Sequence, residues 1–184
     1  MKLIKLLEDW SKYKKLAKKQ MQYGFHPEGS VWKHVKKTAE NIPYAAEILN
    51  QTFPGYKFER YDRQLLMYAS YLHDVGKIFT AKWNDDKQSY GFPGHEDKWQ
   101  QAAQSLGIGK DIRFDKDDLD YLIKNHSRLF KDKTFFLNLN NRIDRALLTL
   151  DVADSLATGS IGKENINNVI NTIKQHVISV GENY

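Results

Sequence analysis

The chain has 184 residues, no cysteine and a formal net charge of +5. That length is enough for one domain with a buried core, and the absence of thiols excludes disulfides and thiolate metal sites. No apolar run approaches the roughly 20 residues of a membrane span, and the first residues lack a signal peptide's uninterrupted apolar region, so a cytoplasmic chain that does not enter membranes is expected.

Residues 2–22 read as an amphipathic helix. Leu3, Leu6, Leu7, Trp10, Tyr13 and Leu16 recur at three- and four-residue steps. Lys14, Lys15, Lys18 and Lys19 cover the opposite face, which reads as solvated surface before it reads as a nucleic-acid patch. Residues 23–30 are loop, and Ser30 is placed to cap a second helix over 31–52. His34 falls in its first turns; alone on such a face, a histidine is usually a packing residue. A loop at Pro54-Gly55 leads to a third helix over 60–73, whose apolar face is Leu65, Leu66, Ala69 and Leu72.

Residues 79–93 are polar and aromatic with a turn signal at Asn84-Asp85-Asp86, which predicts a short hairpin or flap. Trp83, Tyr90 and Phe92 there are suited either to stacking on a base or to anchoring the loop. A fourth helix is expected over 94–106, opening at Gly94-His95-Glu96, where the helix dipole favours an anion. Asp115 or Asp117 caps a fifth that runs to Asn125-His126. A long apolar helix over 139–158 and a final one over 163–180 complete an all-α fold of about six or seven helices.

The third helix delivers His73-Asp74 at its C-terminal end. Burying both without partners would cost about 1–3 kcal/mol for each unsatisfied polar group, and more for a charge. A divalent ion removes that cost, since neutral imidazole and carboxylate are both good ligands. Gly76 is expected to let the backbone turn after the pair, and Lys77 to aim an ammonium at an anion held by the metal. Asp154 shares a face with Leu147 and Leu150 and should point inward. The inward polar set is therefore His34, His73, Asp74, His95, His126 and Asp154. Nitrogen and oxygen donors without sulfur suit Mn, Fe, Co, Ni, Zn or Mg. The set is too large for one tetrahedral ion, so either two ions share Asp74 or some histidines serve substrate.

The order His34, then His73-Asp74, then Asp154, on separate helices, resembles the HD superfamily of metal-dependent phosphohydrolases. The likeness is closest to the HD domain of bacterial tRNA nucleotidyltransferases and related poly(A) polymerase-like proteins. Residues 26–34, 72–77, 92–96, 122–129 and 152–157 carry it, which makes 26–157 the core of a single HD domain spanning 1–184. The nucleotidyltransferase head motifs, a Gly-Ser strand and an upstream Asp-x-Asp, are missing, so nucleotide addition is not expected. Asp154 fits the last motif better than Asp151; in the other register Asp151 is the ligand.

The resemblance implies hydrolysis of a phosphomonoester or phosphodiester of a nucleotide or RNA end, such as a 2′,3′-cyclic phosphodiesterase or nucleotidase. It implies one or two divalent ions on His34, His73, Asp74, Asp154, His95 and His126. Asp74 and Lys77 would be catalytic, and Lys77, His95, His126 and Arg128 would face the phosphate. Two alternatives compete. One is a non-catalytic HD-fold module that binds a nucleotide or RNA as a sensor. The other is a purely structural cluster in which Asp154 pairs with Arg142 or Arg145.

Overall fold

The computed structural model describes residues 10–22, 29–108, 115–158 and 163–178. Residues 2–9 of the expected first helix, the loop at 23–28 and the last two residues of the expected final helix lie outside them. The described helices are, in order, α1 (Ser11–Lys19), α2 (Val31–Thr52), α3 (Arg60–Leu72), α4 (Lys77–Thr80), α5 (Trp99–Ser105), α6 (Lys116–Asn125), α7 (Arg128–Lys131), α8 (Arg142–Ala157) and α9 (Lys163–His176). Short strands β1 (Lys82–Asn84) and β2 (Ser89–Gly91) form an antiparallel hairpin, and β3 (Leu137–Asn138) pairs in parallel with β4 (Val177–Ile178). The fold is all-α with little sheet, as expected from the sequence. Among the described residues no helix is long and apolar enough to cross a membrane.

Helices α2 and α8 make the most extensive contact, and α3 packs beside both. Val35, Ala39, Ile42 and Leu49 of α2 and Leu65, Leu66, Ala69 and Leu72 of α3 are buried in one core. Helix α8 is buried without a break from Ala146 to Ala153, which marks it as the central helix rather than a surface one. Each such leucine or isoleucine contributes about 1.5–3 kcal/mol by leaving water. The Ser30 hydroxyl accepts from the Lys33 N–H at 3.4 Å and starts α2 as expected. Pro43 lies inside α2 on the exposed side, where its missing N–H is tolerated because the opposite face is packed.

At the N-terminal end, Trp10 and Tyr13 pack edge-on against one another and against Tyr68, Tyr71 and Trp32. The Tyr13 hydroxyl donates to the Tyr71 carbonyl at 2.6 Å, tying α1 to α3 two residues before His73.

Four local expectations are corrected. The fourth helix starts at Trp99, not at 94. Gly94 takes a left-handed φ of 62°, His95 enters a turn, and Lys98 N–H bonds back to the His95 carbonyl at 3.2 Å. The dipole argument for His95 falls with that start. Helix α8 begins at Arg142, because residues 139–141 form a turn after β3 and Asn141 caps the helix by accepting from the Ile143 N–H at 3.0 Å. Helix α9 stops at His176, because Val177 and Ile178 extend to pair with β3. Gly76 makes no special turn: its φ of −63° and ψ of −26° are ordinary helical values. Instead a Cβ there would sit 2.0 Å from the His95 carbonyl oxygen, so the glycine is what lets the 92–95 segment press against the start of α4.

Candidate metal centre

His34 comes from α2, His73 and Asp74 from the end of α3, His95 from the turn before α5, His126 from the C-cap of α6, and Asp154 from α8. The structure brings all six together. The donor atoms of His34, His73 and Asp74 lie within 4.8 Å of one another, and so do those of Asp74, His95 and His126. Asp74 belongs to both groups and offers a different oxygen to each. Its Oδ2 is 3.6 Å from His34 Nε2 and 3.5 Å from His73 Nε2. Its Oδ1 is 3.2 Å from His95 Nε2 and 3.8 Å from His126 Nε2. Asp154 joins the first group, with Oδ1 2.7 Å from His34 Nε2 and 3.3 Å from His73 Nε2.

Three of the imidazoles are set the same way. The Nδ1–H of His73 donates to the Ser70 carbonyl at 2.8 Å, that of His95 to Phe92 at 2.9 Å and that of His126 to Ile123 at 2.6 Å. A carbonyl oxygen can only accept, so Nδ1 carries a proton, and in the neutral ring Nε2 presents its lone pair to the cluster. This is the tautomer a metal ligand needs.

Charge follows the same logic. Burial pushes the Asp74 carboxyl up, but Lys77, His73, His95 and His34 outweigh it and hold Asp74 well below the usual range. Asp154 is likewise pushed up by burial and brought well below the usual range by His34 and His73. His126 is lowered to about 4 by burial and by repulsion from His73, so it is neutral at physiological pH.

The donor set fits a divalent ion on two counts. It is all imidazole and carboxylate, and it leaves buried atoms without hydrogen bonds. Asp74 Oδ1 and His95 Nε2 are both buried and unpartnered although only 3.2 Å apart. Two acceptor lone pairs aimed at one point are costly unless a cation sits between them.

Lys77 is buried beside the cluster. Its Nζ is 2.7 Å from Asp74 Oδ2 and donates to Gln22 Oε1 at 2.7 Å, with the Phe92 ring 5.4 Å away. Arg128 is engaged at the surface: it pairs with Asp132 at 3.0 Å, reaches Asn125 Oδ1 at 3.3 Å and lies over the Phe135 ring. Of the two acids weighed for the last motif, Asp154 meets the imidazoles, whereas Asp151 Oδ1 accepts from the Ser127 N–H at 2.8 Å. Burial raises the Asp151 carboxyl well above its usual range, and Asp154 adds to the effect. The arginines proposed as structural partners for Asp154 are placed elsewhere. Arg142 joins Asp62 and Asp118, and Arg145 donates to the Leu139 carbonyl at 2.7 Å.

Two site residues escape sequence reasoning. Gln22 is buried against Lys77, and its Nε2 has no hydrogen-bond partner. Glu96 stands 3.2 Å from His95 Nδ1, and its carboxyl is pushed up by burial but held below its usual value by His95, His126 and Lys131. A carboxylate behind a metal histidine is a common orienting device and was the only available hint. Gln22 has none, because its neighbours in space are remote in sequence.

The family whose description matches is the HD domain, over residues 31–159. The chain belongs to the HD domain family. The matched span begins with α2 and holds all six cluster residues. Among curated proteins and solved structures none matches. HD domains are typically metal-dependent phosphohydrolases that bind divalent ions, and the buried histidine and aspartate groups here are of the kind that holds one.

Proposed function

We propose that this HD domain is a two-ion phosphohydrolase acting on a phosphomonoester or phosphodiester of a nucleotide or RNA end. The observation that carries the reading is the pair of ligand groups sharing Asp74. One position would be held by His34, His73, Asp74 Oδ2 and Asp154, the other by Asp74 Oδ1, His95 and His126. Bound divalent ions supply Lewis acidity to phosphoryl oxygens and lower the pKa of coordinated water.

The chain's own residues do the rest. The three Nδ1–carbonyl bonds hold imidazoles ready without reorganisation. Lys77 keeps Asp74 ionised and leaves its ammonium within reach of the negative charge that grows on the phosphoryl group. His95 and His126 would face substrate beside the second ion. The motif likeness to the HD domain of tRNA nucleotidyltransferases favours a nucleotide or RNA 3′ end over a generic phosphoester, in a single domain spanning 1–184. A chain without cysteine suits a reducing cytoplasmic setting.

The test is turnover. Protein loaded in turn with Mn, Fe, Co, Ni, Zn and Mg is assayed on bis-p-nitrophenyl phosphate, then on 2′,3′-cyclic nucleotides and on RNA ending in a cyclic phosphate. The account expects hydrolysis that EDTA abolishes and that Asp74→Ala lacks. A protein that holds its ions and hydrolyses none of these substrates would instead be a binding module.

A further inference from the structure

Asp151 is a buried acid for which the reaction above has no use. It lies on α8 one turn before Asp154 and is 1% exposed. Its Oδ1 accepts from the Ser127 N–H at 2.8 Å, while its Oδ2 has no partner. Ser127 has a φ of 62°, and among the described residues Gln88 is the other non-glycine residue with positive φ. Gln88 is in the exposed hairpin turn; Ser127 sits directly after a residue of the cluster. There the chain leaves α6 at His126, which has a ψ of 141°, reverses through left-handed Ser127 and enters α7.

A serine does not hold that conformation without support. Pinning its N–H to a carboxylate on the central helix supplies the support, and it fixes the Cα of the preceding residue. The Nδ1 bond to Ile123 orients the His126 ring about that Cα, but the Cα itself is placed by the reversal. His126 Nε2 has the longest reach to Asp74 in the cluster, 3.8 Å, so a small drift of the reversal removes it from the second group.

We infer that Asp151 is a positioning residue for the second ion: by holding the Ser127 N–H it keeps His126 facing Asp74 Oδ1, and it leaves the His34, His73, Asp74 and Asp154 group untouched. This rests on the two-ion reading. The residue acts through hydrogen-bond acceptance, so asparagine, with the same acceptor oxygen, can replace it and leucine cannot.

The experiment loads the full chain with manganese. It counts ions per chain by elemental mass spectrometry and reads the manganese EPR spectrum, which distinguishes a spin-coupled pair from an isolated ion. Wild type and Asp151→Asn should hold two ions with a coupled signal. Asp151→Leu should fall to one ion with the isolated signal. Should Asp151→Leu fail to fold, Asp151→Val, closer in size to the carboxylate and likewise without an acceptor, should also hold one ion. Two coupled ions in either apolar variant would overturn the inference and leave the two-ion reading intact. A wild type that holds fewer than two ions would remove that reading and this inference together.

Discussion

Gly76→Ala sets two effects against each other. Gly76 has helical φ and ψ, so on backbone grounds alone alanine should stabilise by about 0.5–1 kcal/mol through helix propensity and a less flexible unfolded chain. Packing says the opposite. The new Cβ would lie 2.0 Å from the His95 carbonyl oxygen and 2.9 Å from its carbonyl carbon, and both atoms are backbone. Reaching even 3.0 Å, a separation real Cβ atoms rarely undercut, requires a retreat of 3.0 − 2.0 = 1.0 Å. Overpacking of this kind costs about 1–3 kcal/mol, which outweighs the propensity gain. For a chain of this size a net loss of about 1–2 kcal/mol lowers Tm by about 2–8 °C. The same retreat carries His95 Nε2 away from Asp74 Oδ1, so the second ion should be bound more weakly while the first is kept. Calorimetry paired with metal titration reads both effects. An alanine variant as stable as wild type, with unchanged affinity at both positions, would refute the packing argument.

Lys77→Met removes the ammonium beside Asp74 while keeping most of the side-chain volume; ions should still bind, and kcat should fall by about 10²-fold in steady-state assays. Arg128→Ala should leave kcat/KM within about twofold and stability within about 0.5 kcal/mol, because the guanidinium is held at the surface by Asp132 and Asn125. Asp151→Asn should stabilise the metal-free protein at neutral pH. The folded carboxyl is raised, so its protonated form favours folding fully below an unfolded pKa of about 3.9, and that favour is lost as pH rises through the folded value. Asparagine is free of this loss, so in denaturant titrations its advantage over wild type should grow from pH 4 upward and vanish below it.

Much of this architecture was legible in residue order. Ser30, the spacing of Leu65, Leu66, Ala69 and Leu72, and Asp115 mark α2, α3 and α6, because those helices are stabilised by local caps and by one continuous apolar stripe. The order of His34, His73-Asp74 and Asp154 was readable for a related reason: each sits on, or at the end of, such a stripe. What sequence could not show is set by contacts between remote segments. Gly76 is a glycine because of the His95 carbonyl, not because of its own turn. Gln22 reaches Lys77 across 55 positions, and Asp151 holds Ser127 across 24. His95 was expected at a helix start because Gly94 resembles a cap, whereas Gly94 in fact takes the left-handed turn that precedes α5 by several residues. The exposed pair Trp83 and Tyr90 pack edge to face on each other, 5.1 Å apart, across the hairpin.

The central claim is that two groups of ligands share Asp74, and ion stoichiometry tests it most directly. Untagged wild-type protein and His73→Ala would be loaded with manganese, nickel or zinc, desalted and measured by elemental mass spectrometry. Two ions per chain in the wild type, with a clear loss in His73→Ala, is the predicted result. Fewer than two retained ions in the wild type with every one of the three metals would contradict the account.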